Sequence, residues 1–127
     1  VVFNNLGSLY LSRATQSKDS SLLKEAIQNF KRAIELDPEY ASAYNGLGSA
    51  FAQMGNAEAA IDCWEKAVEL RPSFDMPLYN LGLSYLAKGN GSKALSYFER
   101  FKKERFATLS SSEKNKLETL IQKCGQK

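Results

Sequence analysis

The chain has 127 residues, 43% of them apolar and 24% charged, and its 17 basic and 14 acidic side chains leave a net charge of +3. That is ordinary globular composition, and it excludes a disordered chain. No apolar run approaches the roughly 18 residues of a membrane-spanning helix, and the complete lack of histidine removes the usual general base, triad member and zinc ligand.

The first element opens at once. Phe3, Leu6, Gly7 and Tyr10 recur at i, i+3, i+4 and i+7, and Ala14 continues the line, which predicts a helix. Because VVFNNL already lies inside this pattern, the chain is expected to be a piece of a longer polypeptide or one trimmed by processing. A turn falls near QSKDSS (16–21), where Asp19 or Ser20 can act as N-cap. Leu22, Leu23, Ala26, Ile27 and Phe30 then define a second helix that must end before Pro38.

Tyr44, Leu47, Gly48 and Phe51 repeat the first pattern. Gly55-Asn56 is a turn signal, and Ala60, Ile61, Trp64, Ala67 and Val68 make a fourth helix that stops at Pro72. Leu78, Leu81, Gly82 and Tyr85 make a fifth, Gly89-Asn90 a second turn, and Ala94 and Phe98 a sixth. Phe101 then replaces the small residue found at Ala33 and Ala67, and Phe106 replaces the proline, so the pattern is ending. Ser110-x-x-Glu113 is a capping box, and Leu117, Leu120, Ile121 and Cys124 form one apolar stripe. This seventh helix is expected to lie on the last hairpin and shield Phe98 and Phe101, with the polar tail GQK closing the chain.

Three versions of one phrase are therefore present: FNNLGSLY at 3–10, YNGLGSAF at 44–51 and LYNLGLSY at 78–85. Gly48 and its counterparts let the second helix of each pair approach closely, while alanines and aromatics fill the space around them. One such pair cannot bury its own apolar faces, so pairs must stack. The first unit is longer: 19 residues separate Gly7 from Ala26, against 12 from Gly48 to Ala60. The extra seven are close to two helical turns, so a protruding hairpin is expected, with a loose loop as the alternative.

The pattern resembles the tetratricopeptide repeat, W-x2-L-G-x2-Y, then A-x3-F, then P. Here it reads Phe3-x2-Leu6-Gly7-x2-Tyr10, Tyr44-x2-Leu47-Gly48-x2-Phe51 and Leu78-x2-Leu81-Gly82-x2-Tyr85. The second halves are Ala26-x3-Phe30, Ala60-x3-Trp64 and Ala94-x3-Phe98. The resemblance implies an all-α fold, an α-solenoid of three helix-turn-helix hairpins in a right-handed superhelix with a capping helix, seven helices in all. One domain over 1–127 is expected, with repeats at 1–38 (the extended hairpin), 41–72 and 75–106 and the capping helix at 110–124.

The resemblance also implies a concave wall built from the first helix of each unit. Its expected residues are Asn4, Asn5, Ser8, Leu11 and Ser12; then Ser42, Asn45, Ser49, Ala52 and Gln53; then Met76, Tyr79, Asn80, Leu83 and Leu86. None carries a formal charge. Spaced asparagines offer both donor and acceptor to an extended peptide backbone, although Gly46 interrupts the series. The third unit offers an apolar patch instead. The family's clamp for a chaperone's terminal carboxylate needs Lys or Arg at positions that here hold Asn4, Ser8, Gly46, Met76 and Asn80. No chaperone tail is expected to bind that way.

The expected function is a protein-protein interaction module that binds a peptide or partner segment in this groove. An accessory docking domain of a longer enzyme, without activity of its own, is the rival. No catalytic residue, metal ligand or cofactor site is expected. GNGSKA (89–94) has a dinucleotide-like spacing but sits at a turn between helices, and Cys63 and Cys124 have no metal-ligand spacing. Residues 88–127 carry 10 basic and 4 acidic side chains, densest in RFKKER (100–105). A solvated helix end explains this more simply than nucleic acid. A soluble, cytoplasmic location is slightly favoured.

Overall fold

The computed structural model describes residues 1–125; Gln126 and Lys127 of the polar tail lie outside the described residues. Seven α-helices are found among them: α1 (Val2–Ser17), α2 (Ser20–Leu36), α3 (Ala41–Gln53), α4 (Ala57–Leu70), α5 (Asp75–Ala87), α6 (Gly91–Arg105) and α7 (Ser111–Cys124). A single 3-10 turn, Phe106–Thr108, joins the last two. The helices pair as hairpins, α1 with α2, α3 with α4 and α5 with α6. The chain divides into two compact units, Val1–Pro72 and Ser73–Lys127.

The three hairpin turns share one construction. Gly55 and Gly89 adopt positive φ (86° and 81°), and the following Asn56 and Asn90 accept the backbone N–H of Ala59 and Lys93. One residue thus closes a helix in the left-handed region and the next caps its successor. In the first hairpin Lys18 takes the left-handed position (φ 56°) and Asp19 is the cap, accepting from the Ser21 N–H at 2.9 Å. The additional residues of this hairpin are helical: α1 and α2 have 16 and 17 residues, α3 and α4 13 and 14. Both α2 and α4 stop two residues short of a proline, Pro38 and Pro72, as expected where the residue before proline disfavours helical geometry.

Glycine and aromatic rings set the helix spacing. In the first unit a Cβ on Gly7 would stand 2.8 Å from the Phe30 ring, and one on Gly48 2.6 Å from Trp64 Nε1. Gly46 of α3 also meets the Phe30 ring, so both α1 and α3 approach that ring through a glycine. Around it Ala26, Ile27, Leu47 and Ala50 form a buried cluster. In the second unit the ring of Phe98 lies against Gly82 in the same manner, at 2.5 Å from the position of a Cβ. Phe98, Leu78, Leu81 and Leu117 are fully buried there.

The capping helix is fastened at both ends. Ser110 Oγ accepts the Glu113 N–H at 3.1 Å and the Glu113 carboxylate accepts the Ser110 N–H at 2.9 Å, completing the capping box. Lys102 on α6 pairs with Glu118 on α7 at 2.9 Å. At the far end a Cβ on Gly91 would fall on the backbone carbonyl oxygen of Cys124. The electronegative end of α7 thus meets the electropositive start of α6, a favourable placement of opposite dipole ends. Gly91 stands where the preceding turn has Ala57, and this contact is its reason.

Candidate functional site

The expected wall residues fall into two unlike groups. In the first unit Asn5, Ser8, Ser12, Ala52 and Gln53 are exposed, whereas Asn4, Leu11, Ser42, Asn45 and Ser49 are half-buried. Leu11 packs against the cluster around Phe30 and so belongs to the core margin. Asn4 and Asn45 occupy matched positions, each two residues before its Leu-Gly. The Oδ1 atom of each is buried without a hydrogen-bond partner. Gln53 accepts the Thr15 hydroxyl at 3.0 Å and lines an open recess of about 570 Å³ with Lys18 and Met54.

The second unit holds a more defined cavity of about 310 Å³. Met76 and Tyr79 come from α5, Phe101 from α6, Leu109 from the connector and Leu117 from α7; Arg105, Glu113 and Lys116 add charge. Tyr79 is fixed by two rings: Phe98 lies edge-on at 5.9 Å and Phe101 tilted at 5.1 Å. Met76 is exposed and Tyr79 half-buried. Arg105 is ion-paired with Asp75, and Glu113 is occupied by its capping bonds. Bonds to Ser110 hold the Glu113 carboxyl below its usual range, first through the backbone N–H, with Arg105 adding a smaller pull. Five of the eight lining side chains are therefore aromatic or aliphatic, and two of the three charged ones, Arg105 and Glu113, are engaged within the fold.

The structure brings Met76 and Tyr79 together in this cavity and leaves Asn80, Leu83 and Leu86 out of its lining. Sequence reasoning missed Phe101, Arg105, Leu109, Glu113, Lys116 and Leu117 as lining residues. The signal was present for Leu117, which opens the apolar stripe of α7. The connector residue Leu109 gave none.

Other candidate chemistry is weak. Burial first, then the Asp62 carboxylate, pushes the Cys63 thiol up to about 11, so it stays protonated at neutral pH and is a poor nucleophile. No group of three or more metal-ligating side chains is found among the described residues. No helix among them is long and apolar enough to cross a membrane. Part of the basic run is engaged internally: Lys102 with Glu118, Arg105 with Asp75, and Lys102 and Lys114 over the Phe106 ring at 5.0 and 4.9 Å.

Hairpins with glycine-notched first helices and aromatic second helices define a protein of the helical-repeat, solenoid class. Family models described as TPR repeat match residues 22–55 and 48–89, and one described as tetratricopeptide repeat matches 78–105. These matches cover more than half of the chain, which belongs to the tetratricopeptide repeat family. No curated protein matches it. Among solved structures, the TPR2B domain of yeast Sti1 in its pHsp70 complex is similar at TM-score 0.79 and 19% identity, over 99% of this chain and 98% of that one. The type III secretion chaperone SycD of Yersinia enterocolitica, with a peptide of the translocator YopD, gives 0.74 and 17%, over 92% and 90%. The first TPR of Spaghetti (RPAP3) bound to an HSP90 peptide, SRMEEVD, gives 0.71 and 17%, over 94% and 93%.

Proposed function

We propose that this chain is a non-catalytic protein-interaction module that holds a peptide or partner segment along the faces of its first helices. The apolar cavity beside Tyr79 carries this reading. A volume near 310 Å³ accepts one large apolar side chain, and its walls are already ordered by ring packing and by α7. In the first unit Asn4, Asn5 and Asn45 would offer their amides to a ligand backbone, and in the second unit Asn80 would do so. Similar structures that hold peptides support the general reading.

The ligand is proposed to be something other than a chaperone's acidic tail held by a carboxylate clamp. Asn4, Ser8, Gly46, Met76 and Asn80 supply no cation. The test is peptide selection from a random display library, followed by calorimetry on the native chain and on Met76→Glu. Selected peptides should share one large apolar residue and lose at least about tenfold in affinity for Met76→Glu, the scale of removing one anchor. The peptide SRMEEVD should bind neither protein. Selected peptides that bind both equally would remove the cavity from the site, and tight binding of SRMEEVD would overturn the clamp exclusion.

A further inference from the structure

The cavity beside Tyr79 has one charged wall group that the fold leaves unused. Arg105 pairs with Asp75, and Glu113 is held by Ser110. Lys114 lies over the Phe106 ring at 4.9 Å, and Lys102 pairs with Glu118 at 2.9 Å. Lys116 lines the cavity as well, and among the described residues it has no hydrogen bond, ion pair or ring contact. Its place follows from helix register. Leu117, the next residue of α7, is 1% exposed, whereas Lys116 is exposed; successive side chains on a helix diverge by roughly 100°. A lysine in such a place lays its aliphatic stem along the wall and keeps its ammonium at the rim.

That placement constrains an occupant. A segment whose apolar side chain fills about 310 Å³ beside Tyr79 covers part of the Lys116 stem and takes water from its ammonium. Removing water from a cation without supplying a counter-charge is unfavourable. A carboxylate set against it offsets the loss and adds a charge-assisted bond. A basic residue in the same place is repelled. The charge of the whole unit acts in the same direction: residues 73–127 carry ten basic and five acidic side chains, whereas residues 1–72 carry seven and nine. An acidic segment is thus steered toward the second unit and held at close range by Lys116.

The walls favour a peptide over a nucleic acid. A nucleic acid needs several phosphate contacts and open ring faces for stacking. Lys102, Lys114 and Arg105 are engaged within the fold, and Tyr79 is itself packed by Phe98 and Phe101. Provided a peptide anchors in this cavity as proposed above, we infer that it is an acidic one: a large apolar side chain enters the cavity, and an aspartate or glutamate beside it pairs with Lys116. The capping helix is then part of the recognition surface as well as a lid on the core.

The test is selection of random displayed peptides on the native 127-residue chain and on Lys116→Glu, each compared with the unselected library. Peptides from the native chain should be enriched in Asp or Glu near their shared apolar residue and depleted in Lys or Arg. Lys116→Glu should reverse that preference. Lys103→Glu, an equal charge change at an exposed α6 position outside the cavity lining, should not. Replacing the carboxylate of one selected peptide by its amide should weaken calorimetric binding to the native chain about five- to tenfold, and should not weaken binding to Lys116→Glu. Circular dichroism confirms folding; should Lys116→Glu unfold, Lys116→Ala is read in its place and should abolish the preference without reversing it. Peptides that lose affinity for Met76→Glu yet show no acidic preference, or keep it on the Lys116 variants, would leave the cavity as the site and overturn the role of Lys116. Peptides indifferent to Met76→Glu, or no selected peptide at all, would overturn the cavity and this inference together. Reversal by Lys103→Glu would reduce the effect to net charge. Single-stranded RNA that binds more tightly than any selected peptide, and is lost on Lys116→Glu, would give the surface to nucleic acid. Either result overturns the inference.

Discussion

The first-helix faces of the two units share one framework and present opposite surfaces. Beneath both lies a glycine pressed by an aromatic ring, Gly48 by Trp64 in the first unit and Gly82 by Phe98 in the second. Among the expected wall positions, α1 and α3 carry mostly amides and hydroxyls, whereas α5 carries Met76, Tyr79, Leu83 and Leu86 beside a single amide, Asn80. The difference separates two kinds of constraint. Positions facing the partner helix tolerate almost nothing, because a single Cβ would overlap a buried ring. Positions one or two residues away meet no such ring and can carry different side chains, as Asn45 and Tyr79 do in matched places.

The largest effect should come from filling a notch. Gly48→Leu places a side chain inside the Trp64 contact and should cost about 3 kcal/mol or more. Gly55→Ala meets open space and strains only its φ of +86°, for about 1 kcal/mol. Denaturant unfolding measures both. Equal losses would mean that turn geometry, not helix approach, limits this hairpin.

That contrast also shows what the sequence could disclose. The repeated Leu-Gly phrases, the Gly-Asn turn signals and Ser110-x-x-Glu113 were enough for the hairpins, the turns and the capping box, since each rests on local chemistry. The turn of the long hairpin was harder, because Lys18 does the work of Gly55 and nothing in its side chain announces a positive φ. The cavity was half legible. Met76 and Tyr79 follow from helix register, but Leu109 and Lys116 reach it only through the path of the connector and the placement of α7.

Two leucines two positions apart on α5 sharpen the same division. Leu81 is fully buried and Leu83 is 37% exposed. Leu81→Ala should cost roughly 2–5 kcal/mol and Leu83→Ala under about 0.5 kcal/mol. Similar values would mean that α5 is rotated about its axis from the register described. Gly91→Ala should act more locally, costing about 1–3 kcal/mol because the new methyl meets the Cys124 carbonyl rather than a flexible side chain. Its mark should be faster amide exchange confined to α7. Exchange that rises evenly across the second unit would instead make α7 an inseparable part of that core.

The smallest effect lies at the start of α7 and depends on pH. The Glu113 carboxylate accepts the Ser110 N–H in the folded chain, and this bond is the first cause of its lowered pKa. A depressed folded value means that the unfolded chain binds the proton more tightly, so acid favours unfolding. The stabilisation is complete above the ordinary value of 4.5 and disappears as pH falls through the lower folded value. Asp19, held down by its bonds to Ser21 at the start of α2, acts in the same direction. Thermal melts of the native chain and Glu113→Gln from about pH 7 to about pH 2 isolate the first contribution. The native chain should melt higher at neutral pH, with the gap closing in acid. A gap that stays constant would show that the cap works as a neutral hydrogen bond, and that the charge on Glu113 contributes nothing to holding α7 beside the cavity.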